Sequence, residues 1–318
     1  MNLPSGNEVT DVNDATARKG LSSQKLLSRS RQDAKTAYAM LVPTFILLTL
    51  FALLPLGMSL FKSFTDFSFY KTPEFIGFHN YRIVLADPFF RKAVLVAFKL
   101  VFLIVPVQFV AAFLFAHLIK EMSTRIGAFV KTTIYIPLVI SGIVVGAVFS
   151  FIYNYQGGIL NSLLNVFGIE NQAWIADSTY ALYSVAAPAI WQGFGYVTLM
   201  MLAGLLDIPK DYYEAAKMDG ASAFRRMVYI TIPNMKNVFI FIFISGVTGA
   251  LSLYEIVLMI TNGGPGGETL TPVLHLVNHF NNDPTMGYTV AGAIIMAIIL
   301  GSFSAVIFRI VQSDKAID

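Results

Sequence analysis

Inside the long apolar stretches of this 318-residue chain polar residues are sparse, and any chemistry within those stretches rests on them. Two are charged. Lys99 lies about 10 Å inside its stretch at helical rise, so its long stem can carry the ammonium out to an interface. Glu255 has a short side chain that cannot. A carboxylate there is expected to face protein or water, and with its neighbour Tyr254 it marks a path for a polar solute. A further group, Trp191, Gln192, Gly193 and Tyr196, falls near the middle of another stretch, where aromatic faces and hydrogen-bonding edges can grip a sugar ring. Trp191 serves equally well as an ordinary aromatic of a helix bundle. This is the chemistry of binding rather than of bond breaking. The chain carries neither a G-x-x-x-x-G-K-[ST] phosphate loop nor a nucleophile elbow, so neither ATP hydrolysis nor acyl transfer is expected in it. With no cysteine, disulfides and thiolate metal sites drop out, and no catalytic residue, metal or cofactor of its own is expected.

The elements that must position these residues are set by hydropathy. The chain is 56% hydrophobic and 13% charged, with mean hydropathy +0.66, whereas soluble domains are about a quarter charged; it is read as an integral, all-α membrane protein. The net charge of +3 is small and scattered, which argues against a nucleic-acid partner. Residues 1–37 lack apolar periodicity and read as a flexible tail. Six spans follow, at 38–60, 93–119, 133–153, 182–206, 238–260 and 288–311, each long enough to cross a hydrocarbon core of about 30 Å; 312–318 is a short C-terminal tail. Pro43, Pro55, Pro106, Pro137 and Pro188 lie in or near these spans, where neighbours can satisfy the carbonyls they free. On one side the tails and loops carry sixteen Lys and Arg and on the other five, which places both termini and the central loop in the cytoplasm.

That central loop, 207–236, is a polar island between two apolar spans. Asp207 and Pro209 supply an N-cap and a first-turn proline. Lys210 and Glu214 stand at i,i+4 and Glu214 and Lys217 at i,i+3, which charges one face, while Ala215 and Ala216 leave a bare patch open to close docking. Asp219-Gly220 is a helix stop, 221–228 a second short helix, and Pro233 closes the unit.

The run E-A-A-x-x-D-G-A at Glu214–Ala221, followed by Ile230-Thr231-Ile232-Pro233, resembles the EAA loop of bacterial ABC-importer permeases. Met227, where an aromatic is usual, and Asn237, where a second proline often follows, depart from that pattern. Further matches to the sugar-type permeases are Ser63-Phe64-Thr65-Asp66, Phe75 to Tyr81, Tyr135-Ile136-Pro137, Trp174-Ile175-Ala176-Asp177 and Thr261-Asn262-Gly263-Gly264-Pro265. The last is similar to the maltose-permease F-like subunit rather than its G-like partner; a tight turn explains its glycines equally well. The resemblance implies a type I ABC importer permease fold. It also implies a coupling role for Glu214, Ala215, Ala216, Asp219, Gly220 and Ala221, which would seat in a groove of an ATPase subunit. Gly193 and Tyr196 fall on positions that line the sugar site of maltose-type permeases, whereas Gly246, Gly249, Ala250 and Leu253 stand where larger or polar residues occur there. Such small residues either widen a cavity or let helices pack closely.

The reading that results is a permease subunit in a bacterial or archaeal cytoplasmic membrane, passing sugars or oligosaccharides. Its implied partners are a second permease in a heterodimer, two ATPase subunits that bind ATP-Mg, and an extracytoplasmic solute-binding protein. The rival from another class is a self-sufficient secondary carrier, which calls for a repeated half and intramembrane ionisable relays. A third reading is a receptor or scaffold whose loop recruits a partner.

Overall fold

The computed structural model describes residues 36–68, 70, 72–282 and 286–312, and all of its regular elements are helical. The expected tails at 1–37 and 312–318 lie outside these residues, except for Thr36, Ala37 and Gln312, which are helical. The chain divides into two units, residues 1–61 and 62–318. The described part of the first lies in helix α1 (Thr36–Lys62), whose last residue falls in the second unit and whose apolar side chains are exposed. A π turn at Thr49–Leu53 interrupts it. Pro55 has no N–H and its ring crowds the carbonyl four residues back, at Phe51; the wider turn relieves both.

The second unit is built on α3 (Pro88–Glu121) and α7 (Ser178–Asp207), which pack along each other's length. Each starts on an aspartate. The carboxylate of Asp87 accepts the Phe89 N–H at 2.8 Å, and that of Asp177 accepts the Thr179 N–H at 2.7 Å. Against this pair lie α4 (Thr124–Val139) and α10 (Lys236–Leu251), while α5 (Gly142–Ile152) packs on α11 (Glu255–Ile260). Short α2 (His79–Ala86) and α6 (Ile159–Val166) sit in the loops, and α12 (Pro272–Asn282) packs on the last span, α13 (Gly287–Gln312). One buried cluster joins Leu100, Val185, Val247, Leu251 and Ile256, and another Ala116, Met201, Leu205 and Met235.

Among the described residues five helices are long and apolar enough to cross a membrane, and a sixth span exists if α4 and α5 count as one. The expected span at 133–153 is bent by 96° between those helices. Ile140 and Ser141 are extended, and the Ser141 hydroxyl caps the new helix by accepting the Val144 N–H at 3.4 Å. The fifth span is also interrupted, at 252–254, so α11 restarts at Glu255. The two restarts meet. A Cβ at Gly142 would lie 2.5 Å from Glu255 Oε2, and one at Gly146 would lie 2.6 Å from Met259 Cβ, so the Gly142-x-x-x-Gly146 spacing is what lets α5 approach α11.

Several quoted motifs fasten loops. Asn80 donates to the Ser63 and Thr65 carbonyls at 2.9 and 2.8 Å, and the Tyr81 hydroxyl meets Ser63 Oγ at 2.6 Å. Trp174 donates from Nε1 to Asn161 Oδ1 at 2.9 Å. At 261–269 Asn262, Gly263, Gly266 and Gly267 take positive φ, buried Thr269 donates to the Gly264 carbonyl at 2.6 Å, and Lys92 of α3 pairs with Glu268 at 2.7 Å. The Gly-Gly-Pro stretch is thus the tight turn its composition suggests.

A second fastening joins three helices. Asp87 Oδ2 accepts the Tyr288 hydroxyl at 2.5 Å and lies 3.0 Å from His275 Nε2. His275 and His279 stand four apart on α12, an i,i+4 spacing of the sort that can ligate metal, which the expectation of no metal site overlooked. His275 is turned to Asp87 and Tyr288, and His279 stacks on the Tyr288 ring with centroids 4.0 Å apart. Among the described residues no group of three or more metal-ligating side chains forms. Burial alone pushes the Asp87 carboxyl up, but the Tyr288 hydroxyl, the Phe89 N–H and His275 together outweigh it and hold the group below its ordinary 3.8. A depressed carboxyl stabilises the fold above its unfolded pKa and loses that stabilisation as pH falls through the folded value. Asp87→Asn is therefore expected to cost about 2 kcal/mol at neutral pH and to flatten the acid limb of a thermal-stability profile. An unchanged melting temperature at pH 7 would contradict this.

Candidate functional site

Two places gather the residues singled out by sequence. The first is the elbow after α7. Asp207 does not cap the new helix, because α7 runs through it; Pro209 takes the N-cap position of α8 (Lys210–Met218). The end of α8 is as expected. Gly220 adopts φ +74, its N–H donates to the Lys217 carbonyl at 3.0 Å, and the Ala221 N–H donates to the Ala216 carbonyl at 2.9 Å, the paired bonds of a left-handed C-terminal cap. Arg226 braces the turn from Nη1 to the Ala221 carbonyl at 2.7 Å.

The second short helix starts on the Ser222 cap as α9 (Ala223–Arg226), then passes through a π turn, Met227–Thr231, into Ile232–Asn234. As at Pro55, the wide turn precedes a proline by two residues. Pro233 therefore does not end the unit; the break falls at Met235. Among the described residues neither Lys210–Glu214 nor Glu214–Lys217 closes an ion pair, and Glu214 is left exposed. Glu214, Ala215, Asp219 and Gly220 are exposed and Ala216 and Ala221 partly so. Tyr212, Met218, Phe224 and Tyr229 are exposed on the same short segment, Met218 at 89%, so the elbow carries a dense patch of bare apolar surface.

The elbow is tied to the span helices. The Tyr213 hydroxyl meets Oγ1 of buried Thr231 at 2.9 Å. Lys120 of α3 sits 5.0 Å over the Tyr213 ring and donates to the Leu205 carbonyl of α7 at 3.3 Å. A groove of about 660 Å³ opens among Lys120, Lys210, Glu214, Lys217 and Arg226.

The second place is a cavity of about 220 Å³ between α3, α7 and α10. Gln192, Gly193 and Tyr196 all line it, as do Gly246, Gly249, Ala250 and Leu253. Along the α10 wall Gly249 leaves open space, whereas at Gly246 a Cβ would rest 3.4 Å from Val105, an ordinary contact. Trp191 is off the cavity, its ring 5.7 Å from that of Phe149. Gln192 donates from Nε2 to the Ile140 carbonyl at 2.7 Å, so it also holds the bend between α4 and α5. Lys99 is exposed.

Tyr254 and Glu255 do not line the cavity. They begin α11 on the far side of the interruption, with the half-buried Glu255 carboxylate against Gly142 at the start of α5, where a helix N-terminus favours an anion. If the chain is the sugar permease its sequence resembles, Glu255→Gln is accordingly expected to leave transport affinity within about threefold of wild type. A tenfold or larger loss with full yield of the complex would return Glu255 to the solute path.

A buried polar cavity residue that sequence reading passed over is Gln108, on α3. It donates from Nε2 to the Ala189 and Ile190 carbonyls of α7 at 3.2 and 3.0 Å, and it is buried. The available signal was an amide inside the run Leu103–Leu114, otherwise apolar.

Residues 83–315 match the family described as binding-protein-dependent transport system inner membrane component. Over 281 residues, 88% of this chain and 94% of the relative, the sequence is 30% identical to the trehalose/maltose transport system permease protein MalF of Thermococcus litoralis. The fold is similar to a chain in the crystal structure of a bacterial ABC transporter involved in import of the acidic polysaccharide alginate, with TM-score 0.78, 20% identity, and 90% of this chain and 98% of that chain covered. A second structure, of a bacterial alginate ABC transporter in complex with an alginate pentasaccharide-bound periplasmic protein, matches with TM-score 0.71 at 22% identity, covering 89% and 94%.

Proposed function

Since this chain belongs to the family of binding-protein-dependent transport system inner membrane components, we propose that it is the membrane-spanning subunit of an ATP-driven importer of sugars or oligosaccharides. The observation that carries this is the elbow: a docking face fixed by the left-handed Gly220 cap and tied through Tyr213, Thr231 and Lys120 to α3 and α7. In the proposed assembly a second permease completes the pathway, two ATPase subunits bind ATP-Mg and receive the elbow, and a solute-binding protein delivers sugar from outside. Both termini and the elbow lie in the cytoplasm, on the strength of the Lys and Arg distribution. The membrane is the cytoplasmic membrane of a bacterium or archaeon.

The mechanical part follows from rigid elements. Closure of the ATPase pair pushes on the exposed Glu214–Ala216 face. Tyr213 and Lys120 pass the displacement to α3 and α7, whose bodies line the cavity at Gln108 and Gln192, with Gln108 about 18 Å from Lys120 at helical rise. The chain's own residues bind and move; the bond-breaking belongs to the ATPase subunits.

The test is purification of the tagged chain from its native membrane, followed by cross-linking of an Ala215→Cys variant. An ATPase subunit in the complex, cross-linked with an efficiency that changes with nucleotide, is the expected result. Recovery of the chain without an ATPase contradicts the proposal.

A further inference from the structure

The hydrogen-bonding polarity of the cavity, and with it the class of sugar, is written in Gln108. Its amide nitrogen faces two backbone carbonyls, Ala189 at 3.2 Å and Ile190 at 3.0 Å. Carbonyls only accept, so the nitrogen must lie on that side, and both its hydrogens are spent. Gln108 lines the cavity, and with its nitrogen turned to α7 the group left for a solute there is Oε1, an acceptor. The arrangement requires Gly193: a Cβ there would lie 2.5 Å from Gln108 Nε2 and push the amide out. Two neighbours lean the same way. Gln192 has one of its two amide hydrogens on the Ile140 carbonyl at 2.7 Å, and Ser245 gives its hydroxyl proton to the Phe241 carbonyl at 2.6 Å. Among the described residues no Lys, Arg or His lines the cavity.

The geometry points to Gln108 as the residue that makes this wall a hydrogen-bond acceptor and so selects neutral, hydroxyl-rich sugars over uronates and other anionic ones. The inference rests on the reading of the chain as a sugar permease and adds the substrate class to it. A sugar hydroxyl supplies the proton that Oε1 needs, whereas a carboxylate brings only acceptors and finds no cation here to offset its lost hydration.

The test uses the full complex with its own binding protein in proteoliposomes and two probe classes, neutral trisaccharides (maltotriose, cellotriose, xylotriose) and uronate trisaccharides (trigalacturonate, trimannuronate). Uptake and probe-stimulated ATP hydrolysis are read as half-saturating concentration and maximal rate. Wild type is expected to respond to a neutral probe and not to the uronates. Gln108→Met removes both the tie and the acceptor and should raise the half-saturating concentration about three- to tenfold with a smaller change in maximal rate. Gly193→Ala should do the same, and adding it to Gln108→Met should do little more.

Gln108→Lys separates the two roles, because an ammonium can donate to the same carbonyls but offers no acceptor. It should keep the yield of the complex, fail to restore the neutral probe's affinity, and raise uronate uptake relative to neutral uptake; the binding protein's own preference cancels in that ratio. A wild-type preference for uronates, or Gln108→Lys with wild-type affinity and selectivity, overturns the assignment while leaving the sugar reading intact. No response to any probe of either class overturns the sugar reading itself.

Discussion

Gly220→Val in the assembled transporter is expected to cut sugar uptake at least tenfold while the ATPase subunits continue to turn over. Gly220 sits at φ +74 with no atom of the described residues within 4 Å of where a Cβ would go, so the effect is conformational. A β-branched residue in the left-handed region costs about 1–3 kcal/mol, and the turn escapes by abandoning the paired bonds to Lys217 and Ala216. That re-aims Glu214–Ala216 relative to the Tyr213–Thr231 tie. Gly220→Asn, which tolerates the left-handed conformation, should retain most of the uptake. Uptake by Gly220→Val at the wild-type rate, in a complex of normal composition, would show that the elbow's geometry does not carry the coupling.

The second large effect concerns assembly. A Cβ on Gly195 would stand 1.9 Å from the Ile134 carbonyl oxygen and 3.0 Å from Tyr135 Cα, which are backbone atoms of α4 and cannot rotate away. Gly195→Ala must therefore pry α4 from α7, at about 3 kcal/mol, the upper range for overpacking a well-packed core. The expected readout is a large fall in the yield or melting temperature of the detergent-solubilised protein. Gly301→Ala, made where no atom of the described residues lies within 4 Å, is the matched control and should be neutral. Equal yields of the two variants would contradict the close crossing of α4 and α7.

These sites show how much of the molecule hydropathy and spacing reveal. The six apolar stretches are legible because burying apolar side chains along some 20 residues leaves a composition no other element has. The Gly220 cap is legible because only glycine enters the left-handed region freely. Gln192, Gly193 and Tyr196 reach one cavity because residues at i, i+1 and i+4 share a helix face and α7 is unbroken across them. That argument fails for Tyr254 and Glu255, since the interruption at 252–254 resets the rotation of the helix that follows. The 96° bend was hidden for a related reason. Ile140 and Ser141 are apolar or small enough to pass in a hydropathy window, and what holds the bend is a contact from Gln192, 52 residues away. Asp207 looked like a helix cap because aspartate favours that position, but packing of Leu205 in the core carried α7 through it.

The most direct test of the account is uptake of radiolabelled neutral oligosaccharide into proteoliposomes containing the purified complex, with ATP inside or outside the lumen and with an imposed proton or sodium gradient as the alternative energy source. The account predicts accumulation that requires both ATP on the elbow's side and the solute-binding protein on the other, and that ignores the ion gradients. Accumulation driven by an ion gradient without ATP would contradict it and identify the chain as a self-sufficient carrier.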